Sequence, residues 1–192
     1  DATPRCEDRF WQGHEHFLRQ MIFQDWIGDD YIIEPWITQR ASVRIPEGGI
    51  WGVPYGRIPP NVPGGAWKND PPIKSPEDLA RLVKPRHETD EESTRVNVAR
   101  LQDAVGDILT VELDRQPAWT VWHADMSTDL GYLRGIDTFM MDMLDDPGFL
   151  HELVGFMSRG ILDVQEEAEK AGDWSLSNHQ NQAMPYAREL SD

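Results

Sequence analysis

Half of the fourteen prolines and six of the fifteen glycines of this chain fall between Arg44 and Ile73. Proline fixes φ and offers no N–H, and glycine orders at a high entropic cost, so a segment dense in both resists helix and central strand alike. The expectation for 44–73 is a long loop without regular elements. A loop of that length inside a compact domain is either functional or disordered. Trp51, Tyr55 and Trp67 lie within it. Leaving three aromatics in water forgoes about 25 cal/mol per Å² of apolar area, which points to an ordered rim packed on the strand-end face.

Regular structure must therefore lie on either side. From Asp8, the residues Phe10, Trp11, His14, Phe17, Leu18 and Met21 recur at helical spacing and make one apolar stripe. Gly28-Asp29-Asp30 ends that helix. Tyr31–Thr38 reads as a buried strand, with Pro35 cutting it at Glu34. Beyond the loop, Ser75-Pro76-Glu77-Asp78 starts a helix with Ser75 as cap, proline in the first turn and Asp78 in place of the usual Glu. A helix over Glu91–Val105 is stopped by Gly106, and Ile108–Leu113 is a second strand. After a loop over Asp114–Asp125, Thr128–Leu144 is helical. Asp146-Pro147 opens a last helix to about Ala171, with a core stripe of Phe149, Leu150, Leu153, Val154, Met157, Ile161 and Leu162. Gly172 ends it, and Trp174–Asn178 reads as a third strand. Strands alternating with helices are the rhythm of a parallel α/β protein, with the three strands as neighbours.

Charge narrows the function classes. Eighteen basic against thirty-four acidic residues leave a net charge of −16, which repels a nucleic-acid backbone. The one cysteine, Cys6, precludes an internal disulfide and fits a reducing, cytoplasmic compartment. The longest apolar run, Phe139–Leu144, is broken by Asp142 and far too short to span a bilayer. No membrane or nucleic-acid partner is expected. Eight tryptophans call for a real core. The chain does not begin with Met, which is read as the mark of a partial chain.

Few residues carry chemistry on spacing alone. His14 and His16, two apart on a helix, point to different faces and make a poor metal pair. His123-x-Asp125, in the loop after the second strand, is a candidate for a site or for a hydrogen-bonded rim histidine, and His179 in the last loop is similar. His151 reads as packing, and Glu88–Glu92 as a solvated helix start.

The run Gly131-Tyr-Leu-Arg-Gly-Ile-Asp-Thr-Phe-Met-Met-Asp-Met-Leu-Asp-Asp-Pro-Gly-Phe-Leu-His-Glu-Leu-Val154 resembles the central region of the uroporphyrinogen decarboxylase family. Ser75-Pro-Glu-Asp-Leu-Ala-Arg-Leu82, followed by a helix and Gly106-Asp-Ile-Leu109, is similar to the preceding family segment. Trp174-Ser-Leu-Ser-Asn178 with Pro185-Tyr186 looks like a divergent branch. The resemblance implies a (β/α)₈ barrel with its site at the carboxyl ends of the strands. Residues 1–192 would be the amino-terminal part of one such domain, an incomplete barrel of about three β/α units plus an amino-terminal helix. By itself this part would have no turnover, and it would rest on the remainder of the barrel or on further copies of itself. The implied activity is that of a carboxy-lyase of porphyrin biosynthesis, which removes carboxylates from tetrapyrrole acetate side chains, or from a related small carboxylated substrate, without metal or organic cofactor. Tyr132 falls on the family tyrosine, and a half-buried helix tyrosine is the competing reading. With His123 and Asp125 it makes the implied catalytic set, and Arg40, Trp122 and Arg134 the substrate-binding set. The family's Arg-Gln-Ala-Gly-Arg signature is echoed only as Thr38-Gln-Arg-Ala-Ser-Val-Arg44. Two alternatives stand beside this: a corrinoid-linked methyltransferase of the same superfamily, whose zinc would need a His-x-Cys pair that Cys6 does not supply, and a non-catalytic binding module.

Overall fold

The computed structural model describes residues 3–28, 30, 33, 35–44, 46–118 and 126–174. It is a mixed α/β fold, with far more helix than sheet. In chain order the elements are α1 (Arg9–Ile27), β1 (Trp36–Arg40), β2 (Gly56–Ile58), β3 (Lys68–Asp70), a 3₁₀ helix (Pro76–Arg81), α2 (Glu91–Val105), β4 (Thr110–Asp114), α3 (Ser127–Arg134), α4 (Ile136–Asp145) and α5 (Pro147–Ala171). The described residues fall into two compact units, one drawn from positions 1–39 and 98–113 and the other from 40–97 and 114–174.

In the first unit, α1 starts where Asp8 Oδ1 accepts the Phe10 amide at 2.8 Å and ends at Gly28, whose φ of 67° only glycine adopts freely. The expected stripe of Phe10, Trp11 and His14 packs as a cluster of rings. Arg100 from the second half of α2 lies over Phe10 at 4.3 Å and bonds the Asp8 carboxylate at 2.8 Å. Strands β1 and β4 pair as neighbours, as expected. The first described strand runs from Trp36 to Arg40, directly after Pro35, while Tyr31, Ile32 and Glu34 of the expected strand lie outside the described residues. Proline is tolerated just ahead of a strand, where its missing N–H breaks no ladder. Ile108, placed in the second strand by its β-branched side chain, lies outside β4 and is 76 % exposed.

The second unit holds the core, built from Trp51, Val53, Ile73, Leu82, Leu130, Leu133, Phe149, Leu153 and Met157. Much of it comes from the proline-rich stretch, which corrects the expectation of a loop without regular elements. Gly56–Ile58 and Lys68–Asp70 form an antiparallel hairpin with Arg57 opposite Asn69. Its strands are short enough to fit between prolines, and none of the six strand residues is proline. Trp51 is fully buried and Tyr55 half-buried, yet they pack against α3 and α5 rather than at a strand end. Trp67 stays 44 % exposed beneath the Arg57 guanidinium.

The 3₁₀ helix carries the expected Ser75–Asp78 capping box, and α2 has its predicted bounds. The single helix expected over Thr128–Leu144 is two. Gly135, at φ 86° and ψ 136°, separates α3 from α4. Helix α5 is capped by Asp146, whose Oδ1 accepts the Phe149 amide at 3.1 Å, and closed by Gly172 at φ 76°. Its buried face is Phe149, Leu153, Met157, Gly160, Val164 and Ala168, whereas Leu162 is 54 % exposed. The stripe turns this way because Gly160 lets Trp51 approach. A Cβ there would lie 2.9 Å from the indole. Of the third expected strand only Trp174 is described, and it is not in a strand; the rest lies outside the described residues. No described helix is long and apolar enough to cross a membrane.

Candidate functional site

In the second unit a cleft of about 770 Å³ opens between β3, α3 and the start of α4. It is lined by Lys68, Asn69 and Pro71, by Ser127, Thr128, Gly131 and Tyr132 along one face of α3, and by Gly135–Thr138. The sequence builds this locally. The hairpin delivers Asn69, whose Nδ2 donates to the carbonyls of Gly131 at 3.0 Å and Tyr132 at 3.1 Å, satisfying the end of α3 that Gly135 breaks off. Asn69 Oδ1 is buried and has no hydrogen-bond partner. An acceptor left so is costly unless something donates to it.

Tyr132 enters the cleft wall with its ring stacked on Tyr55, centroids 5.1 Å apart and planes at 20°. Tyr55 is fixed from behind. Its hydroxyl donates to Asp129 Oδ1 at 3.2 Å, while Trp51 Nε1 donates to Asp129 Oδ2 at 3.0 Å. Burial, and then the Asp129 carboxylate beside it, pushes the Tyr55 phenol well above the usual range, so it remains a donor. The buried Asp129 therefore pins Trp51 and Tyr55 in place, and Tyr55 positions Tyr132.

The other expected site residues fall elsewhere. Arg134 is buried within the protein and does not line the cleft. Its Nε and Nη2 donate to Asp142 at 2.7 and 2.9 Å and its Nη1 to the Ile73 carbonyl at 3.2 Å, while Phe149 sits under the guanidinium at 4.8 Å. These bonds hold its pKa above the ordinary value and direct the group inward, which corrects the expectation of a substrate ligand. Arg40 is the last residue of β1, half-buried, and does not line the cleft either. Trp122, His123, Asp125 and His179 lie outside the described residues.

Histidine and cysteine chemistry elsewhere is quiet. His151 is exposed on α5. Desolvation among the rings lowers the His14 pKa, so it rests neutral. Cys6 is exposed, and its thiol is raised chiefly by hydrogen bonding to Glu15, so the reactive thiolate is disfavoured. Among the described residues no cluster of His, Cys, Asp or Glu has the form of a metal site.

Sequence reasoning missed His87. Its Nδ1 accepts the Ala118 N–H at 3.1 Å, which leaves the proton on Nε2, facing Asp173 Oδ2 at 2.8 Å. Arg115 joins Asp173 at 3.3 Å to Glu91 at 2.5 Å, and Glu88, Glu91 and Glu92 at the helix start are exposed, as expected. Both ring nitrogens are engaged and the side chain is only 5 % exposed, so His87 anchors the chain at Ala118 rather than exchanging protons with a ligand. Nothing short-range marks it, because its partners lie 31 and 86 residues away. Lys68 and Asn69 were equally silent within a stretch read as a loop, where Tyr55 stood out only as a rim aromatic. Comparison with protein-family models, with curated proteins and with solved structures finds no match to this chain.

Proposed function

We propose that the chain is the amino-terminal part of a uroporphyrinogen-decarboxylase-like (β/α)₈ barrel enzyme, a carboxy-lyase acting on tetrapyrrole acetate side chains or a related carboxylated substrate. The observation that carries this reading is the placement of Tyr132, braced by Tyr55 and Asp129, in the wall of a cleft of about 770 Å³. That volume lies in the range of small-molecule sites, roughly 300–1,000 Å³. Lys68 supplies the cleft with a cation for a substrate carboxylate, in a protein whose net charge is −16. The Tyr132 hydroxyl offers a donor toward charge that develops as the carbon–carbon bond to the departing carboxylate breaks. His123 and Asp125 are the proposed acid–base pair, and Trp122 completes the proposed substrate contacts.

Titrating the protein with uroporphyrin and following tryptophan emission tests the binding half of this. Saturable quenching, weakened about tenfold or more by Lys68→Ala, is expected; quenching indifferent to Lys68 removes the cleft from the proposal. Turnover is tested on protein from the complete reading frame. There Tyr132→Phe lowers kcat about tenfold or more at unchanged melting temperature. A lowered melting temperature with kcat intact makes Tyr132 a packing residue.

A further inference from the structure

Helix α4 packs Phe139 against the core and buries Asp142, which is 6 % exposed and paired with Arg134. Outward it presents Ile136, Met140, Met143 and Leu144, which are 63, 57, 55 and 81 % exposed. Their spacing of four, three and one places them on a single stripe, with Met141 flanking it. Single exposed apolar residues need no account, but a contiguous stripe on a folded surface marks an interaction site. Methionine suits such a site, because its unbranched thioether repacks against partners of different shape.

Charge identifies the partner. Helix α4 has no Lys or Arg, and Asp137, Asp145 and Asp146 stand at its two ends. A second copy would bring −16 against −16. Antiparallel pairing of two α4 helices about Met141 sets Asp137 against Asp145 of the other copy, and parallel pairing sets each acid against itself. Both arrangements oppose like charges. Anionic lipid meets the same objection.

We propose that the α4 stripe docks an amphipathic helix of a different protein, one whose apolar face is edged by lysine and arginine. Such helices bind with apolar anchors in a stripe while flanking charges set orientation and choice of partner. Ile136 also lines the cleft, but Met140, Met143 and Leu144 lie outside it, so the docking surface does not rest on the carboxy-lyase reading.

The test uses a fluorescent 18-residue helical peptide of leucine and lysine, with leucines on one face, titrated into the protein while anisotropy is read. Saturable binding is expected. A leucine–glutamate peptide of the same pattern and a lysine–serine peptide without an apolar face should each bind at least about tenfold more weakly. The double variant Met140→Glu, Leu144→Glu should lose about tenfold or more, and the uncharged Leu144→Gln a smaller amount in the same direction. Both variants should melt with the parent, because the altered side chains face solvent. Equal binding of all three peptides, or unchanged binding to the double variant, overturns the proposal. A dimer in sedimentation that Leu144→Glu dissolves overturns it in favour of a second copy. Adsorption to phosphatidylcholine vesicles that Leu144→Glu abolishes overturns it in favour of a membrane.

Discussion

Arg134 and Asp142 are each about one-tenth exposed at the side chain and joined by two short bonds. Two charges so placed have lost most of their hydration, and each depends on the other. Asp142→Ala should therefore cost about 3–5 kcal/mol in urea denaturation, because it strands the guanidinium over Phe149. Arg134→Met with Asp142→Leu should recover most of that loss, since an apolar pair leaves no buried charge. A loss below about 1 kcal/mol for Asp142→Ala would mean that Arg134 escapes to water. In sequence, Arg134 two residues after Tyr132 looks like a ligand for carboxylates. Only the fold shows that its carboxylate partner is Asp142.

At the scale of elements, the break between α3 and α4 rests on Gly135. Its φ of 86° is closed to most side chains, and a Cβ there would meet Pro71 Cγ at 3.0 Å. Gly135→Ala should destabilise by about 1–3 kcal/mol and disturb the cleft wall that Gly135 helps to form. Gly13 offers the opposite case. It lies inside α1, and a Cβ there meets nothing within 4 Å. Gly13→Ala should stabilise by about 0.4–1 kcal/mol by narrowing the unfolded ensemble. Equal effects of the two substitutions in denaturant would refute the backbone account. Both glycines stand in helical patterns, and sequence periodicity runs through both. Asn69, binding the last carbonyls of α3, decides which one breaks the helix.

For the molecule as a whole, a net charge of −16 sets two opposing trends. At neutral pH like charges repel, so added salt should raise the melting temperature at pH 7. In acid, carboxylates that cap and tie the fold become protonated. Glu15, which accepts the amides of Arg5 and Cys6, is drawn from 4.5 down to about 2. Asp8 and Asp90 are lowered by accepting the Phe10 and Ser93 amides. A carboxyl group lowered in the folded state stabilises it above the unfolded pKa and loses that contribution as pH falls through the folded one. Melting followed by circular dichroism should therefore drop between about pH 4.5 and 2, in a window set by the cited Glu15 shift. A flat profile there would show that these bonds form equally in the unfolded chain.

Helix ends were legible in the residues themselves: Asp8 and Gly28 around α1, the bounds of α2, and Asp146-Pro147 and Gly172 around α5. Caps and stops act within four residues, so local sequence holds the whole of their physics. Tyr132, singled out through a resemblance, lines the cleft. Tertiary structure alone decided the rest. It placed β1 beyond Pro35, folded a hairpin between prolines, turned Arg134 inward and α4's apolar stripe outward, and put Asn69 beside α3. Each of these depends on partners far apart in the chain, 62 residues in the case of Asn69 and Gly131. Which apolar face is covered, and which charge finds a counter-charge, is set by what packs against it rather than by its own spacing.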